Sequence, residues 1–90
     1  MKNARLTVEY SGGLDPELDT HLDAIAGGEQ AGSGYCFIDS MRDVGWLFND
    51  RQAAEISATR LAEIERIKKV TLIIYNEEGE TVEEKEYKND

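Results

Sequence analysis

The sequence is poor in the residues that most often carry covalent or metal chemistry. It has one cysteine, one histidine and one proline in 90 residues. The single cysteine, Cys36, excludes an internal disulfide and fits the reducing cytoplasm, the expected location. The single histidine, His21, falls on a different predicted element from Cys36. Nothing in the sequence therefore supplies the base that a thiol nucleophile needs. No apolar run approaches the ~18 residues of a membrane-spanning helix. The first residues, MKNARLTVEY, lack the apolar core of a leader peptide, so no membrane association is expected. Bases are also scarce: ten against nineteen acids, a net charge of −9. Such a field repels phosphate backbones, and Arg42 and the Arg66, Lys68, Lys69 group are too small to override it. Direct nucleic-acid binding is not expected.

What is present describes a soluble globular chain, with 40% hydrophobic and 32% charged residues. Ninety residues make one domain with a single core. Arg5-Leu6-Thr7-Val8-Glu9-Tyr10 alternates with period two and predicts a strand with Leu6, Val8 and Tyr10 inward. Asp15 ahead of Pro16 is a helix start, and Gly27-Gly28 a helix stop. Leu14, Leu18, Leu22 and Ile25 form the apolar stripe between them. Strands are predicted over 34–39 and 44–48. A second helix over 51–67 is capped by Asn49, with Ala53, Ile56, Leu61, Ile64 and Ile67 on its inner face. The β-branched run over 69–75 is a buried strand. Glu78-Gly79 turns it into a charged edge strand over 81–87.

The resulting order, β-α-β-β-α-β-β, implies an α+β fold. Its first six elements resemble the ferredoxin-like arrangement, two helices on one face of an antiparallel sheet, with an additional C-terminal strand. One domain spans 1–90, and 75–90 forms an acidic C-terminal β-hairpin extension. A fold resemblance carries no function by itself.

Three local features invite a functional reading. Gly32-Ser33-Gly34 is glycine-rich, but phosphate-cradling loops lead from a strand into a helix. Here the glycines follow a helix and precede a strand, so they are expected to form the bend between them. Asp15, Asp19 and Asp23 recur every four residues along one flank of the first helix. Without convergent ligands from another element they are expected to face water. Arg60 falls on the inner arc of the second helix, where it either snorkels or meets a carboxylate such as Glu9, Asp39 or Asp43.

The most informative feature is the second face of the sheet. Alternation leaves Leu47, Ile73 and Tyr75 pointing away from the helices. Either Tyr35 and Phe37 or Cys36 and Ile38 join them, with the former pair the expected one. Tyr35, Phe37, Leu47, Ile73 and Tyr75 are thus the candidate contact residues. Glu77, Glu78, Glu80, Glu83 and Glu84 form an acidic rim. No catalytic residue, metal or cofactor is assigned. The expected function is non-enzymatic: a cytoplasmic interaction or regulatory protein binding a protein partner or a second copy of itself. One alternative is an acidic inhibitor that imitates nucleic acid, in the manner of some anti-CRISPR proteins. Another is a small-ligand sensor with a site near Arg60, Cys36 and Trp46.

Overall fold

Alternating apolar residues, two capped helices and one tight turn produce seven elements. The computed structural model describes residues 3–36 and 38–89. In order they are β1 (Ala4–Tyr10), α1 (Pro16–Ala26), β2 (Glu29–Cys36), β3 (Met41–Phe48), α2 (Arg51–Ala62), β4 (Ile67–Tyr75) and β5 (Thr81–Asn89). The five strands form one antiparallel sheet in the order β2-β3-β1-β4-β5. The two helices pack against one of its faces. Ala4, Leu6, Val8 and Tyr10 of β1 meet Val44, Trp46 and Phe48 of β3 and Ile67, Val70, Leu72 and Ile74 of β4 beneath them. Period-two alternation in the central strands is the whole origin of this one-sided core.

The helices depart from expectation in instructive ways. Asp15 caps α1 by accepting from the Leu18 N–H, and Gly27 ends it in the left-handed conformation at φ 71°. Leu14, however, lies outside the stripe and is 58% exposed. In α2 the cap is Asp50 rather than Asn49, and the helix stops at Ala62. Its buried face is Ala54, Ser57, Ala58 and Leu61, which leaves Ile56 exposed. The small residues let the helix settle close to the sheet and to α1. There the Ser57 hydroxyl donates to the Ala26 carbonyl at 2.7 Å, satisfying a group that the end of α1 leaves without an intrahelical partner. Ile67, expected to extend the helix, instead begins β4 and is fully buried. Arg60 is exposed, which removes the buried ion pair considered for it.

The aspartates of α1 are the main correction on this side. They do not form a solvated stripe; each anchors the helix to the layers around it. Asp15 pairs with Arg66, whose guanidinium also lies 5.2 Å from the centre of the Tyr10 ring. Asp19 accepts from the Tyr10 hydroxyl at 2.6 Å and from Arg42 Nη2 at 3.0 Å. Asp23 accepts from the Trp46 indole N–H at 2.8 Å. Spacing of four residues places all three on the flank that overhangs the sheet. A parallel arrangement ties α2 to β5, where Arg51 bridges Glu55 and Glu83 and Lys85 lies near both carboxylates.

The two edges of the sheet differ. β5 carries Glu83, Glu84, Lys85, Glu86 and Lys88 and has two register shifts against β4. β2 carries one charge, Glu29, followed by Gln-Ala-Gly-Ser-Gly, with a single shift at Ala31. The Gly32-Ser33-Gly34 segment is therefore neither a phosphate loop nor a bend ahead of a strand. It lies inside an edge strand that begins five residues earlier than expected.

Candidate functional site: the open face of the sheet

Residues directly opposite one another on paired strands share a face, so the register maps the side that the helices leave uncovered. Its central row runs Glu29, Leu47, Arg5, Ile73, Glu84 across all five strands. The next row is Gly32, Gly45, Thr7, Thr71, Glu86, and the one after it Gly34, Asp43, Glu9, Lys69, Asn89. Tyr75 stands two residues beyond Ile73, at the end of the face nearest the β4–β5 turn.

This register separates the expected contact residues. Leu47, Ile73 and Tyr75 do lie on the open face, each half-buried. Tyr35 does not. It pairs with Arg42, whose guanidinium reaches Asp19 of α1, and its hydroxyl lies near Gly13 on the helix-clad side. Strand β2 starts at Glu29 and shifts register at Ala31, which fixes the parity that the sequence had left open. Phe37 lies outside the described residues. Leu47 and Ile73 are also not adjacent, because Arg5 stands between them as the cross-strand partner of both. The face is a mixed surface in which apolar side chains flank a cation.

Three glycines shape its β2–β3 side. Gly32 faces Gly45, and Gly34 is the next open-face position along β2. The Arg5 guanidinium folds over Gly45, with Nε and Nη2 each 3.5 Å from where a β-carbon would sit. Asp43 leans over Gly34 in the same way, its Oδ1 2.8 Å from the corresponding position. Missing side chains thus give two charged groups room to lie flat. Sequence reasoning missed both contacts; the signal was three glycines in strands that otherwise have regular patterning.

The acidic rim also divides. Glu77, Glu78 and Glu80 are exposed in the β4–β5 turn, and Glu84 is exposed on the open face opposite Ile73. Glu83 stands opposite Ile74 on the other side, 2.6 Å from Arg51. The turn itself is built by Asn76, whose Oδ1 accepts from the backbone N–H groups of Glu78 and Glu80. Gly79 supplies its left-handed residue at φ 83°. Across the face, five carboxylates (Glu9, Glu29, Asp43, Glu84, Glu86) outnumber two cations, Arg5 and Lys69. Lys69 is already 3.9 Å from Glu86.

Clefts open at both ends of the described sheet. One, about 440 Å³, is lined by Ser11, Glu65, Arg66 and Lys68 beyond the end of α2. Its arginine is engaged by Asp15 and the Ser11 carbonyl. The other, about 310 Å³, lies at the Tyr75 end of the open face and is lined by Asn3, Tyr75, Asn76 and Glu77. Among the described residues no group of three or more His, Cys, Asp or Glu side chains is placed to hold a metal ion. No described helix is long and apolar enough to cross a membrane. No family model, no curated protein and no solved structure matches the chain.

Proposed function

We propose that this chain is a non-catalytic cytoplasmic binding protein that docks a basic protein partner on its open sheet face. The first six elements are read as a ferredoxin-like unit, with β1 between β3 and β4 and β5 added outside β4. The observation that carries the reading is the central row, in which Leu47 and Ile73 flank Arg5 and Glu29 and Glu84 close both ends. Half-buried apolar groups inside a charged border have the composition of a contact surface with a polar rim. The excess of carboxylates favours a cationic partner over a second copy, because two such faces would repel.

Photo-crosslinking in the cells of origin tests this. A crosslinker placed at Leu47 or Ile73 should capture one common protein, and one at Ile56 on the exposed flank of α2 should not. Leu47→Glu should abolish that capture. Equal capture from both sides of the molecule would sink the proposal.

A narrower second reading makes the partner a nucleic-acid-processing enzyme, with Glu77, Glu78, Glu80 and Glu84 standing where phosphates would lie. It is favoured by the exposure of all four carboxylates at one end of the molecule. Its distinguishing mark is affinity that falls steeply with added salt, since exposed charges are screened over ~10 Å at 0.1 M. Salt-independent binding would exclude it.

A further inference from the structure

A buried acceptor without a donor is uncommon in a folded chain, because leaving it unmet carries the full cost of desolvation. Asn3 Oδ1 is such an atom: it is buried and accepts no hydrogen bond. The backbone around it is held on both sides. The Asn3 N–H donates to the Phe48 carbonyl at 2.9 Å, and its own carbonyl accepts from the Tyr75 N–H at 2.7 Å. The residue is therefore held between β3 and β4, and it lines a 310 Å³ cleft together with Tyr75, Asn76 and Glu77.

The chemistry of this cleft is one-sided. Its ionisable acceptor is the Glu77 carboxylate, and its neutral acceptor is Asn3 Oδ1. The Asn76 carbonyl oxygen is already engaged in the turn. Tyr75 contributes an aromatic surface. Arg5, the open-face cation of the neighbouring row, folds over Gly45 and so lies toward the far rows. At this volume the cleft sits at the lower bound of the ~300–1,000 Å³ typical of small-molecule sites, which suits one side chain better than a metabolite. A group that stacks on a phenol ring, pairs with a carboxylate and still has an N–H for an amide oxygen is a guanidinium.

We infer that the Asn3–Tyr75–Glu77 cleft is an arginine-binding site, receiving one arginine side chain of the protein partner. The inference rests on the proposed docking function and names the residue type that the partner brings to this end of the face. The guanidinium stacks on Tyr75, makes paired hydrogen bonds to Glu77 and, as the Asn3 side chain turns its oxygen out toward the cleft, donates to Asn3 Oδ1. An ammonium group, a point charge without a planar fork, makes a poorer match to the same three groups.

The test uses the full chain, labelled with ¹⁵N, and N-acetylarginine amide as probe. Saturable shifts should centre on Asn3, Tyr75, Asn76 and Glu77. The lysine analogue should bind more weakly, and the uncharged citrulline analogue should produce no saturable shift. Glu77→Gln, an exposed turn substitution that leaves the core untouched, should weaken the arginine probe about tenfold, the scale of one charge-assisted bond. Asn3→Asp, which adds a charge at the orphaned acceptor, should tighten it. Shifts spread evenly over the acidic surface, equal binding of the citrulline analogue, or no effect of Glu77→Gln would each overturn the inference. Failure here with crosslinking at Leu47 and Ile73 intact would remove the arginine site and leave the docking face standing.

Discussion

The indole N–H of Trp46 donates to the Asp23 carboxylate at 2.8 Å, joining the most voluminous buried side chain of the sheet to an exposed residue of α1. Each partner solves the other's problem. The indole needs an acceptor that the apolar core does not offer, and α1 needs a fixed rotation about its own axis. Asp23→Ala should therefore lower unfolding free energy by about 1–2 kcal/mol, the range for a buried donor that loses its partner. Asp23→Asn, which keeps an acceptor, should lose less. Urea titration followed by Trp46 fluorescence measures both.

Acid should loosen the helix attachments in a definite window. The Asp15 carboxyl is held below its ordinary value of 3.8 by the Leu18 N–H first and Arg66 second. The Glu55 carboxyl is held below 4.5, chiefly by its hydrogen bond from Arg51. Both folded-state values lie below the unfolded ones, so the fold favours the ionised forms. Their contribution is complete above about pH 5 and is lost as pH falls through the lowered folded-state values. Thermal midpoints measured from pH 6 to pH 2.5 should fall with acid. Asp15→Asn should flatten part of that slope, and an unchanged slope would contradict the assignment.

Tyr10 gives the opposite sign at the alkaline end. Burial, assisted by its bond to Asp19, raises its hydroxyl above the ordinary 10.0. The neutral form is the one that the fold favours, so the contribution is present below pH 10 and is lost as pH rises through the raised value. An ultraviolet titration should place the Tyr10 transition above its ordinary value. Asp19→Asn should bring its transition earlier. The same substitution leaves Arg42 without its carboxylate partner and should cost about 2–3 kcal/mol, less than a fully buried pair because Asp19 keeps some contact with water.

Two glycines distinguish packing constraint from spare room. A β-carbon at Gly28 would sit 2.8 Å from the Phe48 ring and 3.0 Å from the Leu47 carbonyl oxygen, neither free to move. Gly28→Ala should cost about 1–3 kcal/mol, as overpacking does. At Gly34 the obstacle is the tip of the Asp43 side chain, which can swing away. Gly34→Ala should change stability by no more than about 0.5 kcal/mol. Thermal denaturation of the two variants side by side checks the contrast.

The features legible in the sequence are those set by local rules. Alternation in β1 assigned Leu6, Val8 and Tyr10 inward, and Asp15-Pro16 with Gly27 bounded α1, because caps and period-two patterning act within a few residues. The features that escaped depend on partners distant in the chain. Ile56 and Ile67 have the right spacing for one helical face, yet close packing on α1 favoured Ala54, Ser57 and Ala58, and the sheet claimed Ile67. Tyr35 was assigned to the wrong side because parity in β2 depends on where the strand begins and on its shift at Ala31. Asp19 and Asp23 resembled a solvated flank because the hydroxyl and indole that bind them lie on other elements. For the candidate site, Leu47, Ile73 and Tyr75 could be found by alternation. The intervening Arg5 and the orphaned Asn3 oxygen required the strand order.

The contrast between the two rims of the sheet limits how copies of this chain could ever polymerise. One border is fenced by dense mixed charge and broken pairing, while the other is nearly neutral and slender. A neighbour could zip on only through the bare border, and by two-fold symmetry that junction would consume the bare borders of both molecules. Growth would end at a closed pair, so concentrated solutions of this protein should yield finite particles and not fibres.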